Sequence, residues 1–111
     1  MTTRTTTKEI DMRSRITKEM LEGLARTINE VTGNPTETYE RGEDGTWSGL
    51  VGNYHISYAY GGASLRRMVN TSGGASDVFG WGHMPKRELG DLMHAFLRGH
   101  EAARVKIEDA E

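Results

Sequence analysis

Cationic, aromatic and histidine side chains alternate with glycines across residues 53–99. The densest part is G-H-M-P-K-R at residues 82–87, which sets His83, Lys86 and Arg87 around a proline suited to a helix start. The free N–H groups and the dipole at a helix N-terminus attract anions. Cations oppose that dipole, so the motif indicates either solvated, flexible side chains or an anionic partner. The sequence leaves both interpretations open.

A second basic element, Arg66-Arg67, lies in a segment with strand-like alternation. Successive side chains of a strand point to opposite faces, so at most one of these arginines joins any one patch. One arginine beside a tyrosine ring would combine base stacking with a cation for the phosphate. The alternative is that the rings fill the core and the arginines flank it. The predicted ligand-binding residues are Tyr60, Arg66, Arg67, His83, Lys86 and Arg87.

Signals for catalysis and for metal binding are weak. The four histidines form no H-x-x-x-H pair, and a metal would need ligands from separate elements, such as His55, Asp77 and His83. No serine stands in a G-x-S-x-G elbow. The absence of cysteine excludes disulfides, thiolate zinc sites and cysteine catalysis. We predict no catalytic residue, metal or cofactor, and whether the chain is an enzyme stays open.

Composition limits the class of protein. The chain has 111 residues, enough for one domain, with 27% charged residues and a net charge of −2. No apolar run approaches the ~20 residues of a membrane helix, so we expect a cytoplasmic protein with no membrane partner. Residues 34–52 hold one arginine against four acids, whereas residues 53–100 hold five basic residues against three acids. This mild contrast permits an anionic partner but is weaker than the footprint of a duplex-DNA binder.

The elements that must position these residues follow from periodicity. Apolar spacing, a Thr17 N-cap and a Gly33 C-cap predict a helix at 18–32. Strands are predicted at 37–41, 47–60, 64–70 and 77–81, and a second helix from Pro85 to Gly99. The order α-β-β-β-β-α predicts a two-layer α+β fold, an antiparallel meander of about four strands with both helices on one face. Residues 16–100 form the domain, 1–15 a flexible arm and 101–111 a mobile acidic tail.

Two segments carry a resemblance to a known group of proteins. N-Y-H-I-S-Y-A-Y-G-G-A-S-L-R-R-M-V-N at residues 53–70 and D-V-F-G-W-G-H-M-P-K-R-E-L-G-D-L-M-H-A-F-L-R-G at residues 77–99 resemble small tailed-phage proteins of uncharacterised function. The resemblance covers roughly residues 17–99 and implies a bacteriophage or prophage origin, and therefore the cytoplasm of a bacterial host cell. It implies no particular activity, although small phage accessory proteins commonly bind host factors, which makes counter-defence or host takeover an analogy.

Together these features favour a non-enzymatic phage accessory protein that binds a nucleotide or nucleic acid. A protein–protein inhibitor of a host defence enzyme, without nucleic-acid binding, is the alternative. A small hydrolase with His55 or His83 as general base is a third hypothesis. A small sheet with an open face often dimerises, so we also expect a homodimer.

Overall fold

Two helices and five strands follow one another in the order α-β-β-β-β-β-α within residues 15–110, the part of the chain that the computed structural model describes (side chains for residues 15–105). Their bounds are α1 Lys18–Thr32, β1 Tyr39–Arg41, β2 Trp47–Gly49, β3 Tyr54–Ala59, β4 Gly62–Met68, β5 Ala75–Asp77 and α2 Lys86–Ala110. No helix in these residues combines the length and the apolar character needed to cross a membrane.

Helix α1 has the boundaries that its caps predict. The Thr17 hydroxyl accepts a hydrogen bond from the Met20 N–H at 3.2 Å, which satisfies one of the free donors at the helix start. Gly33 ends the helix with φ 74°, a left-handed conformation that suits glycine. Leu21, Ala25 and Ile28 are buried along one face of the helix.

The strands form two antiparallel sheets, β1–β2 and β3–β4–β5. In the larger sheet, Tyr54 pairs with Arg67 and Ala59 with Gly62. The α+β class is confirmed. The single meander of about four strands is corrected to five strands in two sheets.

The predicted strand at 47–60 divides into β2 and β3 because residues 50–53 turn between them. Gly52 has φ 97°, which a strand does not adopt. A Cβ on Gly49 would lie 2.7 Å from the Met68 Sδ, so this glycine permits a close crossing of two segments. The Gly49 N–H then donates to the Thr71 carbonyl at 2.8 Å. These contacts join the small sheet to the end of β4.

The last predicted strand, 77–81, is shifted to Ala75–Asp77. The Asp77 carboxylate accepts hydrogen bonds from the Gly80 N–H at 3.1 Å and the Gly82 N–H at 2.7 Å. Both glycines have positive φ, 76° and 71°. The chain therefore turns after Asp77, because its side chain satisfies the backbone donors that a strand would have paired.

Both helices pack on the same face of the three-stranded sheet. The core that they enclose contains Leu21, Ala25, Ile28, Tyr54, Ile56, Ala63, Leu65, Met84, Leu89 and Met93. No helix covers the opposite face in the described part of the chain; we call it the open face. Two layers with both helices on one sheet face agree with the predicted architecture. Ser64 and Met68, which point to the open face, are nevertheless buried.

Helix α2 continues beyond Gly99, where the sequence predicts its end, to Ala110. Residues 101–110 of the predicted tail are therefore helical, and their mobility stays a prediction. Of the predicted N-terminal arm, residues 1–14 lie outside the described residues.

Candidate anion-binding site

The β3–β4 turn places Tyr60 at one end of the larger sheet. Tyr60 and Gly61 both have positive φ, 54° and 74°, as a two-residue turn between antiparallel strands requires. Tyrosine is an unusual choice for this left-handed position, which favours glycine and asparagine. The Tyr60 side chain is 96% exposed, and its ring meets the His83 ring edge-on at 5.8 Å between centroids.

A backbone bridge fixes the start of α2 beside this turn. The Ala63 N–H donates to the Met84 carbonyl at 2.8 Å, and the Met84 N–H donates to the Ala63 carbonyl at 2.9 Å. Gly62 allows the approach, since a Cβ there would lie 2.6 Å from the Met84 oxygen. The first turn of α2 is thus held at the same end of the sheet as Tyr60.

Each helix begins with a lysine, and both lysines line one cavity at this end of the sheet. The cavity has a volume of about 300 Å³ and is lined by Lys18, Tyr58, Ala59, Gly61, Gly62 and Lys86. We call it the two-lysine cavity. Lys18 begins α1 and Lys86 begins α2, so the positive ends of both helix dipoles also lie in this region. Two ammonium groups, two helix starts and backbone without side chains at Gly61 and Gly62 are suited to an anion.

Tyr58 forms the wall between the cavity and α1. The Lys18 Nζ lies 4.9 Å from the centre of the Tyr58 ring, a cation–π contact. The Tyr58 hydroxyl donates to the Glu22 Oε1 at 3.1 Å. Burial, and then the Glu22 carboxylate, raise the pKa of Tyr58 to about 12. The hydroxyl therefore stays protonated at neutral pH, and Tyr58 adds no negative charge that would oppose an anion.

The open face carries a polar array on the other side of the same sheet. His55 pairs with Arg66, and Arg66 pairs with Asp77, so one row crosses all three strands. The Arg66 Nε donates to the Ser64 Oγ at 3.4 Å. Burial, opposed by the backbone contact at Asn53, lowers the pKa of His55, and the nearby Arg66 charge lowers it further. His55 thus favours its neutral form.

A serine and a histidine also meet on the open face. Ser57 Oγ and His83 Nε2 are joined by a hydrogen bond of 3.0 Å. Within the described residues, no group of three or more histidine, aspartate or glutamate side chains is placed to hold a metal ion.

The predicted ligand-binding residues are divided by this geometry. Tyr60, His83 and Lys86 lie around the β3–β4 turn, with Tyr60 and His83 on one side of the sheet end and Lys86 on the other. Arg87 is exposed on the next position of α2. The alternation predicted for the arginine pair is observed.

Arg66 and Arg67 both lie away from the two-lysine cavity. Arg66 belongs to the open face, whereas the Arg67 guanidinium lies over the Tyr54 ring at 5.4 Å, on the helix-covered side. Lys18 was absent from the predicted set. Its position directly after the Thr17 N-cap marks a cation at a helix start, but no signal in the sequence places it beside Lys86.

Comparison with known proteins adds no relative: no family model, no curated protein and no solved structure matches the chain.

Proposed function

We propose that the protein binds a phosphate-bearing ligand, a nucleotide or a nucleic acid, at the end of the sheet that holds the two-lysine cavity. The observation that carries the proposal is the convergence of Lys18 and Lys86, from the starts of two different helices, on one cavity. Cations at a helix start are unfavourable to the isolated helix. A phosphate bound between two such starts would reverse this cost, because it interacts favourably with both ammonium groups and with both helix dipoles.

Tyr60 supplies the second part of the ligand contact. A bulky residue held at positive φ costs about 1–3 kcal/mol, and such strain is concentrated at functional sites. Burial offsets little of this cost, since the Tyr60 side chain is 96% exposed and meets the His83 ring edge-on. Stacking of a base on a tyrosine contributes about 1–3 kcal/mol and tolerates any base. We therefore assign the two lysines to phosphate and Tyr60, on the other side of the sheet end, to the base. Arg87, exposed and next to Lys86 in the chain, is a further cation for the ligand.

Binding of a labelled single-stranded oligonucleotide over a salt series tests the proposal. Removing the two phosphate contacts in Lys18→Gln/Lys86→Gln should weaken binding at least tenfold at low salt. It should also reduce the slope of log K against log salt by roughly 1.4, at about 0.7 per contact. Arg98→Gln/Arg104→Gln is the charge-matched control on the distal part of α2 and should keep the wild-type slope. Equal losses in both double variants would contradict a specific site.

The biological setting that we propose comes from the resemblance to small tailed-phage proteins. It makes the protein a phage accessory protein active in counter-defence or host takeover. An inhibitor that docks on a host enzyme without nucleic acid would show no oligonucleotide binding at any salt concentration. That outcome would move the proposal to the alternative function.

A second candidate function rests on the contact between Ser57 and His83. A hydroxyl within 3.0 Å of an imidazole nitrogen is the first requirement of a serine nucleophile with a histidine base. Neither the described contacts of His83 nor the sequence supplies a carboxylate that orients this ring, so we rank a hydrolase below ligand binding. Ester turnover by purified protein that is abolished in both Ser57→Ala and His83→Ala would support the hydrolase. Turnover retained in either variant would exclude this pair.

A further inference from the structure

The β1–β2 hairpin carries large aromatic side chains that are not buried in the core. Of its six strand residues only Gly49 is buried. Trp47 is 65% exposed and Tyr39 48% exposed. Short two-stranded hairpins gain stability by burying one face, and this hairpin leaves its aromatic residues largely in water. A surface of this composition is typical of a binding site.

Tyr39 and Trp47 form a cleft between them. Tyr39 pairs with Gly49 and Trp47 pairs with Arg41, so the two rings occupy diagonal positions on the same face of the hairpin. Diagonal cross-strand side chains start about 7–8 Å apart at their Cα atoms, which leaves room for a flat group between two rings. Among the described residues, Tyr39 and Trp47 line a cavity of about 430 Å³. We call it the aromatic cleft.

The segment that carries the aromatic cleft is acidic. Residues 34–52 contain Glu37, Glu40, Glu43 and Asp44 against the single cation Arg41. Hydrogen bonds from the Thr46 side chain and backbone lower the pKa of Asp44, so its carboxylate stays ionised. A phosphate-bearing ligand would be repelled by these acids, whereas a cation would be attracted. This surface therefore differs in kind from the two-lysine cavity.

The Trp47 ring already makes a cation–π contact with an arginine of the chain, Arg41. Its guanidinium carbon lies 5.9 Å from the centre of the Trp47 ring, within the range of cation–π interaction. Guanidinium groups stack on aromatic faces because they are planar and weakly hydrated. The chain's own arginine thus occupies the position that an incoming guanidinium would take on one side of the ring.

We propose that the aromatic cleft binds an arginine side chain carried by an extended, basic peptide segment of a partner protein. Charge complementarity selects a basic segment, and the Arg41–Trp47 contact shows that a planar guanidinium stacks on this surface, which favours arginine over the compact ammonium of lysine. The peptide backbone would follow the hairpin, with its remaining basic side chains near the acidic residues 37–44. This inference is independent of the proposed phosphate site.

Tryptophan fluorescence offers a direct test. The chain has two tryptophans, so in a Trp81→Phe background Trp47 becomes the only reporter. The probe is a short peptide of alternating glycine and arginine, compared with the same peptide carrying citrulline, which is neutral and nearly isosteric. We expect saturable quenching by the arginine peptide, and binding of the citrulline peptide that is weaker by at least tenfold.

Substitutions then separate a specific cleft from general attraction to acids. By calorimetry, Trp47→Leu should weaken arginine-peptide binding at least fivefold, whereas Trp81→Leu, which has the same charge and also removes an exposed tryptophan, should leave it unchanged. Arg41→Gln should strengthen binding about two- to fivefold, because it frees one face of the Trp47 ring and removes a like charge. A purely structural role of Arg41 predicts no such gain.

Two outcomes would overturn the proposal. The first is equal binding of the arginine peptide by wild type and Trp47→Leu, when circular dichroism shows that both are folded. Binding would then be non-specific attraction to acidic residues. A dimer that light scattering detects in wild type but not in Trp47→Leu, without peptide binding, would assign the aromatic cleft to a second copy of the chain instead.

Discussion

The side-chain amide of Asn29 in α1 hydrogen-bonds both backbone groups of Tyr54 in β3. Asn29 Oδ1 accepts from the Tyr54 N–H at 2.7 Å, and Asn29 Nδ2 donates to the Tyr54 carbonyl at 2.9 Å. Tyr54 begins the outer strand of the three-stranded sheet, so the amide replaces one residue of a neighbouring strand there. Asn29 is 1% exposed. The pair therefore ties α1 to the sheet in a single relative position.

Replacing Asn29 with alanine should destabilise the fold strongly. Both Tyr54 backbone groups would lose their partner in a buried setting, at a cost of about 2–4 kcal/mol in the free energy of unfolding. Urea denaturation followed by circular dichroism measures this change. Thr27→Ala on the exposed side of the same helix is the control and should stay within about 0.5 kcal/mol of wild type. Similar midpoints for the two variants would show that water or local rearrangement replaces the Asn29 amide.

Replacing Tyr60 with asparagine should stabilise the fold while it weakens the proposed ligand binding. Asparagine tolerates the left-handed conformation at φ 54° better than tyrosine does. The relief should raise the free energy of unfolding by about 1 kcal/mol, or the Tm by roughly 4–8 °C for a domain of this size. Oligonucleotide affinity should fall in the same variant, since the stacking ring is lost.

Trp81→Asn is the control for the prediction that Tyr60→Asn is more stable but binds the oligonucleotide more weakly. Trp81 is also an exposed aromatic residue, but its φ is negative. Its replacement should therefore give no gain in Tm. A Tyr60→Asn protein that is more stable and binds the oligonucleotide as well as wild type would remove Tyr60 from the proposed site.

Alanine at Gly62 and alanine at Gly99 should change stability in opposite directions. A Cβ on Gly62 would lie 2.6 Å from the Met84 oxygen, so the backbone bridge that holds the start of α2 must shift, at a cost of about 2 kcal/mol. A Cβ on Gly99 meets nothing within 4 Å inside α2, and alanine there should stabilise the helix by about 1 kcal/mol. Thermal unfolding of both variants measures the contrast. Two changes of the same sign would contradict the described packing.

Features that depend on neighbouring residues could be read from the sequence. Thr17 and Gly33 cap α1 through contacts within a few residues, and the helix has the predicted bounds. The opposite orientation of Arg66 and Arg67 follows from strand alternation alone. Gly99 shows the limit of such local rules, because a glycine in a helix interior looks the same in the sequence as a C-terminal cap.

Features that depend on distant contacts could not be predicted. The break between β2 and β3 is stabilised by Gly49 packing against Met68, a contact across nearly twenty residues of chain. The position of Lys18 at the two-lysine cavity requires the packing of α1 on Tyr58. The sequence thus indicated Lys86 and Tyr60 for the candidate site. Lys18 could be assigned to it only from the tertiary structure.

The lowered pKa of His55 predicts how stability depends on pH. Burial is its main cause, opposed by the contact with Asn53, while the Arg66 charge lowers the pKa and the Glu22 charge raises it. Because the pKa of His55 in the folded state is below that of an ordinary histidine, the unfolded chain binds more protons in mild acid. The contribution of His55 to stability is therefore complete above the unfolded pKa and is lost as the pH falls through the folded one.

Replacing His55 with glutamine should make stability less dependent on pH. Between about pH 7.5 and pH 5, wild type should lose more of its free energy of unfolding than His55→Gln does, because the variant has no imidazole to protonate at this partly buried position. Urea midpoints at the two pH values measure the difference. His94→Gln, at an exposed position of α2, is the control and should keep the wild-type dependence. If His94→Gln flattened the profile and His55→Gln did not, the acid sensitivity would come from α2 and not from the open face.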